Sequence, residues 1–478
     1  MSDTDSNDAL VSRDAEPHEV LSPMPAVPPR SFGFWVAHFL VVACMVGAGI
    51  LTTSGYTLLA TGNPAALLAL WAVGGLLALC GVLTISELAT TLPRAGSDYV
   101  FVREAFGRDA GAVAGWATFI LGFAAPTAVG ARATAAYITQ PLVNLSGDVF
   151  TREMATFSQP IIATLLVMGI MVIHTLGHRE SAWFQVSATL LKIAVLVGLV
   201  LFGLTVGSGS WAHWEASHFP PRTQWPALAI GLLYVSYAYS GWNGAAYVAG
   251  EVRDPERLLP RAMISGCLAV TVLYLLVNVV YVYALDPTRM GEHEDVERVA
   301  VLASASLFGP TAANVIAGLL GFGLIASVSA YMLAGPRIVY AMAEDRAFPK
   351  IVGGLHPTRL TPMRAIVLQG LVAIIVIWSG TFREILDFTS VGLAAVSGLV
   401  IASIFPIRRR VDLPKAYRMP LYPLPPLIFL LVIAGTIGIN LVSEDTRLAT
   451  ILSLLTLLAG IPIAWWLVPK SKVAPQGK

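Results

Sequence analysis

Charge is what this sequence has least of. Only 12% of its 478 residues are Asp, Glu, Lys or Arg, about half the ~25% usual in soluble proteins. A chain so poor in charge cannot clothe a water-facing surface, and a soluble globular protein is excluded. The net charge of +1 and the lack of a basic patch with interleaved aromatics give nucleic acid nothing to bind. Cysteine is scarce too. Cys44, Cys80 and Cys267 all sit in apolar runs without metal-ligand spacing and read as small buried hydrophobes. None stands in an outer connection, so no disulfide-linked accessory subunit is expected. The apolar segments contain no zinc-type HExxH, no paired carboxylates and no nucleophile–base pair, and the chain has no phosphate-binding glycine loop. A membrane-bound enzyme and a nucleotide-driven pump are set aside on those grounds, and no cofactor or metal is expected.

What the chain has instead is apolar length. Twelve runs are long enough to cross a bilayer, at about 33–61, 64–92, 110–139, 157–177, 182–207, 225–250, 260–286, 311–342, 362–380, 385–407, 421–443 and 447–469. The expected fold is therefore all-α and polytopic, with twelve transmembrane helices. The first 30 residues are polar, acidic and proline-rich with no positive stretch ahead of an apolar core, and read as a disordered cytoplasmic tail. With the N-terminus inside, 21 Lys and Arg fall on the cytoplasmic side against 6 outside. That excess places both termini in the cytoplasm.

Two of the runs are interrupted near mid-membrane. In VVACMVGAGILTTSG (41–55), Gly47 and Gly49 stand where a spanning helix should be most regular, each costing about 1 kcal/mol relative to alanine. In YVSYAYSGWNGAAYVAG (234–250), Ser240, Gly241, Asn243 and Gly244 cluster in the same way. Each interrupted run opens a block of five spans, which points to an inverted-repeat transporter with its substrate at the breaks. Unwinding frees backbone groups that lipid cannot satisfy, so they are tolerated only where they line a polar cavity. The helix restarting after Gly49 offers N–H groups and a partial positive charge to a carboxylate, while unwound carbonyls suit an ammonium. A site with both poles matches an α-amino acid. Other small residues, such as Gly74, Gly75, Gly111 and Gly198, read as close helix packing.

The stretches GAGI (47–50), ELATTLPRAGSDYVFVREAFG (87–107), YAYSGWN (237–243), GEVRDPERLLPRA (250–262), GPRIVYAMAEDRAFP (335–349), HPTRLTP (356–362) and YRMPLYPLPP (417–426) occur in this order. With them the sequence resembles the amino acid–polyamine–organocation permeases, nearest the L-type amino-acid transporter branch and its bacterial relatives. The resemblance implies a five-plus-five inverted repeat (31–210 and 211–410) followed by two further helices in 411–470 and a tail at 471–478. It places the substrate carboxylate on backbone amides at Gly47, Ala48, Gly49 and Ile50. The ammonium falls to carbonyls near Met45 and Val46 and those of Tyr237, Ala238 and Ser240, with Tyr237 as an aromatic lid. Ala48 replaces a serine common in relatives and Ser240 a second glycine, which leaves side-chain specificity open. The resemblance also suggests a bacterial inner membrane.

Few charges lie within the runs. Lys192 is about ten residues into the fifth, where an ammonium is costly and marks function by default. The resemblance gives this lysine the place of a sodium ion in sodium-coupled relatives, bridging toward carbonyls near Gly47 and toward Ser327 or Ser329. Two readings stand: a coupling group whose protonation follows conformation, and a fixed tie that organises the site. Arg132 snorkels to the outer interface or, as the lesser reading, meets substrate. Glu87 and Glu251, near Arg94, Arg103, Arg253 and Arg257, are expected to close an inner gate through ion pairs, with ordinary solvated pairing as the alternative. Asp387 sits near one end of its run, and no carboxylate is central, so a neutral cargo is preferred over a cationic one. The expected function is sodium-independent transport of neutral L-amino acids by alternating access, as a proton symporter or an exchanger. Transport of cationic amino acids or polyamines, or amino-acid sensing, is the alternative.

Overall fold

The computed structural model describes residues 30, 32–94, 96–145, 151–176, 178–215, 225–292, 296–359, 361–410 and 417–467. The two expected tails lie outside them, apart from Arg30. The chain runs through α1 (Phe34–Met45), α2 (Ala48–Thr61), α3 (Pro64–Thr91), α4 (Ser97–Phe106), α5 (Arg108–Ala117), α6 (Ala125–Leu145), α7 (Arg152–Leu176), α8 (His178–Thr205) and α9 (Trp225–Ala238). It continues through α10 (Pro255–Ala284), α11 (Val299–Phe308), α12 (Pro310–Ala334), α13 (Pro336–Glu344), α14 (Met363–Trp378), α15 (Phe382–Ala402), α16 (Ile404–Arg409), α17 (Leu424–Val442) and α18 (Arg447–Leu467). The described residues contain no β-strand beyond one isolated bridge between Phe32 and Val252.

Among the described residues, eight helical stretches are long and apolar enough to cross a membrane. The pair α1–α2 passes together with a 40° bend, and Ala227–Ala238, Met363–Trp378 and Arg447–Ile463 are apolar but shorter. Local chemistry sets several of the ends. Asn63 accepts a 2.9 Å hydrogen bond from the Ala66 N–H at the start of α3, with Pro64 at the first helical position. Thr381 and Glu384 form a reciprocal capping box on α15. Helix α7 turns Phe157, Ile161, Leu165, Met168 and Val172 outward. Steps of three and four put them on one stripe, the face a membrane helix gives to lipid.

Three features depart from the expected segments. The sixth run is α-helical only to Ala238, and Gly244–Glu251 continues as tighter 3₁₀ turns. The third run is continuous from Arg108 to Leu145 but widens into a π-helical stretch at Thr118–Ala124, a distortion that often accompanies functional sites. The polar connection 93–109 contains the helix α4, whose Asp98, Tyr99, Val100, Phe101 and Val102 are buried. Around the two interrupted runs, α10 packs along α3 and α1, α12 along α6 and α8, and α2 along α9.

Candidate functional site

The first run ends its helix at Met45 and restarts at Ala48, with Val46 (φ −74°, ψ 90°) and Gly47 (φ −126°, ψ −155°) extended between them. No side chain caps the new helix, so its first N–H groups stay available. The second break turns at Gly241, whose φ of +93° lies in the left-handed region that glycine alone enters freely. The two breaks press on one another. A Cβ at Gly49 would lie 2.4 Å from the Ala238 Cα, and one at Gly241 would lie 2.6 Å from the carbonyl of Cys44. Gly49 thus serves close approach from inside the first turn of α2, whereas Gly47 forms the break itself.

The carbonyls freed by unwinding find donors on neighbouring helices. The Tyr274 hydroxyl lies 2.7 Å from the Met45 carbonyl and 3.1 Å from that of Ala238, bridging the two breaks. Tyr137 donates to the Leu51 carbonyl at 2.8 Å, Tyr281 to Ile50 at 3.4 Å and Tyr331 to Cys44 at 3.4 Å. The Tyr237 carbonyl accepts the Ser240 N–H at 2.9 Å. Lys192, 1% exposed, donates from Nζ to the Ala43 carbonyl at 3.2 Å, to Ser327 Oγ at 2.8 Å and to the Val46 carbonyl. Ser327 also donates to Val46 at 3.0 Å, which fills both lone pairs of that carbonyl. Ser329 stands apart from this group, its hydroxyl 3.0 Å from His174 Nε2.

Glu87 and Glu251, the glutamates expected at an inner gate, are paired across the fold rather than with the arginines nearest in sequence. Glu251 Oε1 meets Arg337 Nε at 3.1 Å, joining the end of the sixth run to α13. Glu87 Oε1 meets Arg408 Nε at 3.0 Å and its Oε2 accepts the Met419 N–H at 2.8 Å. Arg103 pairs with Asp345 and with Glu104. The Nε of Arg132 has no hydrogen-bond partner among the described residues. Trp242 packs on Gly81 and on the Phe429 ring, whose centroid is 5.9 Å away. Asn243 donates to the Tyr247 hydroxyl at 3.1 Å rather than to the broken backbone.

The fold brings two carboxylates to the breaks, Asp387, which the sequence set at one end of its run, and Asp98, which sequence reading missed. Asp387 on α15 accepts the Tyr234 hydroxyl at 2.7 Å, three residues before Tyr237 on the same half-helix. The Tyr234 ring packs on Tyr56, with Arg383 over the Tyr56 ring. Asp98, in a connection that reads as a solvated loop, is buried beneath the second break and accepts from Tyr247 at 2.7 Å. It shares a cavity with Cys44, Ser240, Gly241, Asn243 and Tyr331. The signal available in the sequence was local: Gly96, Ser97 and Asp98 precede a run, Tyr99 to Val102, too apolar for a hydrated loop.

The pattern of the amino acid permease family matches residues 32–461. The chain is 27% identical over 443 residues to the serine/threonine exchanger SteT of Bacillus subtilis, covering 91% of this chain and 96% of that protein. It is 26% identical to the b(0,+)-type amino acid transporter 1 of Mus musculus, covering 85% and 81% of the two chains. To the human cystine/glutamate transporter it is 25% identical, covering 88% and 82%. These relatives are transporters, not enzymes, and with its apolar helices this chain is a multi-pass membrane protein.

Proposed function

We propose, from the premise that this chain belongs to the amino acid permease family, that it is a sodium-independent secondary transporter of neutral L-amino acids working by alternating access. The observation that carries the reading is the pair of interrupted helices pressed together at Gly49 and Ala238, with an uncapped helix start beside them. A helix start of this kind suits a carboxylate, and the carbonyls of Met45, Tyr237, Ala238 and Ser240 suit an ammonium. Lys192 supports sodium independence, because its ammonium occupies a nest of two carbonyls and the Ser327 hydroxyl. Such oxygens are what a hard cation would seek. A neutral cargo is supported by Asp98, whose oxygens already accept from Tyr247, Ser97 and Thr118. The twelve apolar runs form two inverted blocks of five, 31–210 and 211–410, with two further spans in 411–470 and both termini in the cytoplasm of a bacterial inner membrane.

In alternating access the cytoplasmic latches, Glu251–Arg337 and Glu87–Arg408, open while the outer contact of Tyr234 with Asp387 stays shut, and the reverse. Tyr237 closes over the site. The test is uptake of labelled neutral amino acids into proteoliposomes, empty or preloaded, with and without an inward proton gradient and with potassium in place of sodium. Accumulation in empty vesicles driven by the gradient marks a proton symporter, and uptake into preloaded vesicles alone marks an exchanger. A requirement for sodium, or no uptake of any neutral amino acid, overturns the reading.

A further inference from the structure

Asp98 is 3% exposed, yet among the described residues no cation meets it. Its Oδ2 accepts the Tyr247 hydroxyl at 2.7 Å and that of Thr118 at 3.4 Å, and its Oδ1 accepts from Ser97 at 3.2 Å. Asn243 reaches it through Tyr247 at 3.1 Å. The charged groups on the surrounding elements are engaged elsewhere. Arg103 and Glu104 of α4 pair with each other, with Asp345 and with Arg410, and Arg108 of α5 donates to the carbonyls of Asp345 and Arg346. Arg337 of α13 holds Glu251, and Arg408 of α16 holds Glu87. Burial without a cationic partner pushes the Asp98 carboxyl up to about 6, against an ordinary value of 3.8.

The carboxyl also faces space. The cavity it shares with Cys44, Ser240, Gly241 and Tyr247 is small and partly polar, with room for about two waters. The cavity is lined by the second break and the turns after it, at Ser240, Gly241, Gly244 and Tyr247. Tyr247 stands four residues before Glu251 on the segment Gly244–Glu251, which is kinked at Val248, so an inner opening that carries the whole segment outward draws Tyr247 off Asp98.

We propose that Asp98 is a proton-binding site of the transport cycle, neutral while Tyr247 is docked and releasing its proton toward the cytoplasm as the inner half of the sixth run moves away. The step breaks the carboxyl O–H bond and passes the proton to water entering the cavity, leaving a solvated carboxylate. This rests on the transport reading and adds to it a control by internal pH. The closed arrangement binds the proton more tightly, so it gains stability as pH falls through about 6 and loses that gain as pH rises above it. If the open form titrates as an ordinary carboxylate, inner opening becomes about tenfold more favourable between pH ~5 and ~7 and then levels off.

The experiment uses the full chain. Infrared difference spectra of purified wild type and Asp98→Asn across pH follow the protonated-carboxyl stretch, and exchange in preloaded proteoliposomes is measured as internal pH varies. Expected are a carboxyl band titrating near pH 6 in wild type and absent in the variant, with exchange rising about tenfold in wild type and flat in Asp98→Asn. If Asp98→Asn does not fold, Tyr247→Phe removes the donor that favours the charged form and must move the midpoint upward. A wild-type band that does not titrate in this range, an Asp98→Asn profile like wild type, or an unmoved Tyr247→Phe midpoint overturns the proposal while leaving transport intact. Absence of transport at every pH, with the band titrating, overturns the transport reading instead.

Discussion

Gly47 and Gly49 stand two residues apart, and adding one methyl group to each should have opposite consequences. A Cβ at Gly47 would meet nothing nearer than 3.6 Å, from Ser327 Oγ and the Tyr331 hydroxyl. The backbone there is extended, which alanine adopts without strain. A Cβ at Gly49 would lie 2.4 Å from the Cα and 2.7 Å from the Cβ of Ala238, against an optimum of ~3.5–4.0 Å between carbon atoms. No rotamer relieves that contact, because one partner is backbone. One break must therefore shift by about 1 Å or more relative to the other, and overpacking of this kind costs about 1–3 kcal/mol.

At the upper end of that range the loss corresponds to roughly a hundredfold in substrate affinity if the breaks bind only in register. Gly49→Ala should therefore lower the thermal midpoint of the purified protein and weaken binding by one to two orders of magnitude. Gly47→Ala should keep the midpoint and weaken binding less than about tenfold. Thermal unfolding with and without substrate, together with equilibrium binding of a labelled amino acid, measures both. Equal losses in the two variants, or a Gly49→Ala protein as stable and as tight as wild type, would refute the reasoning from close approach.

Arg337→Ala breaks a pair whose side chains are 11% and 15% exposed. Discounted for that water, the loss of about 1–3 kcal/mol favours the inward-open form by ~5–150-fold, read as faster maleimide labelling of Cys44 with Cys80 and Cys267 replaced by alanine. An unchanged labelling rate refutes a latch. Tyr234→Phe leaves a buried carboxylate short of its 2.7 Å donor, a cost of about 1–3 kcal/mol. Release of bound substrate to the outer face should speed up, and an unaltered release rate counts against an outer latch. Lys192→Ala strips the ammonium from Ala43, Val46 and Ser327, so stability and binding should fall together, by at least tenfold in affinity. Binding that survives in that variant would separate the lysine from the site.

The interrupted runs were legible in the sequence because glycine in mid-membrane has few explanations. Their reasons were only half legible. Gly49 reads as part of the break, but its role is set by Ala238, a residue far along the chain that no local pattern identifies. Glu87 and Glu251 were visible as acids at helix ends, yet their partners come from other helices: Arg408 enters the sequence only as one of the counted cytoplasmic charges, and Arg337 lies inside an apolar run. Asp98 was hidden for a physical reason. A connection with acidic and basic residues reads as solvated, while the fold tucks the first turns of α4 against the bundle and buries the carboxylate under Tyr247. The π-helical widening at Thr118–Ala124 leaves no compositional mark at all.

The way the breaks are satisfied without a ligand bears on which end of an amino acid is read more strongly. Most acceptors are already served: Met45 and Ala238 share the single O–H of Tyr274, Cys44 has Tyr331, Ile50 has Tyr281, Leu51 has Tyr137, and Val46 has Lys192 and Ser327. Donors at the start of α2 have no side-chain cap. A substrate ammonium therefore exchanges one donor for another at most of these carbonyls, with little net gain, whereas a carboxylate meets N–H groups that the N-cap residue Gly47 leaves without a side-chain cap and carries the charge their dipole favours. Hydrogen bonds to a charged group contribute about 1.5–3 kcal/mol. Amidation of the carboxylate should then weaken competition for uptake by about ten- to a hundredfold, and N-methylation should weaken it by severalfold only. Competition by an amino acid, its amide and its N-methyl derivative measures the order directly. If the N-methyl compound is the poorer competitor, the carbonyls carry the recognition and the uncapped start of α2 does not.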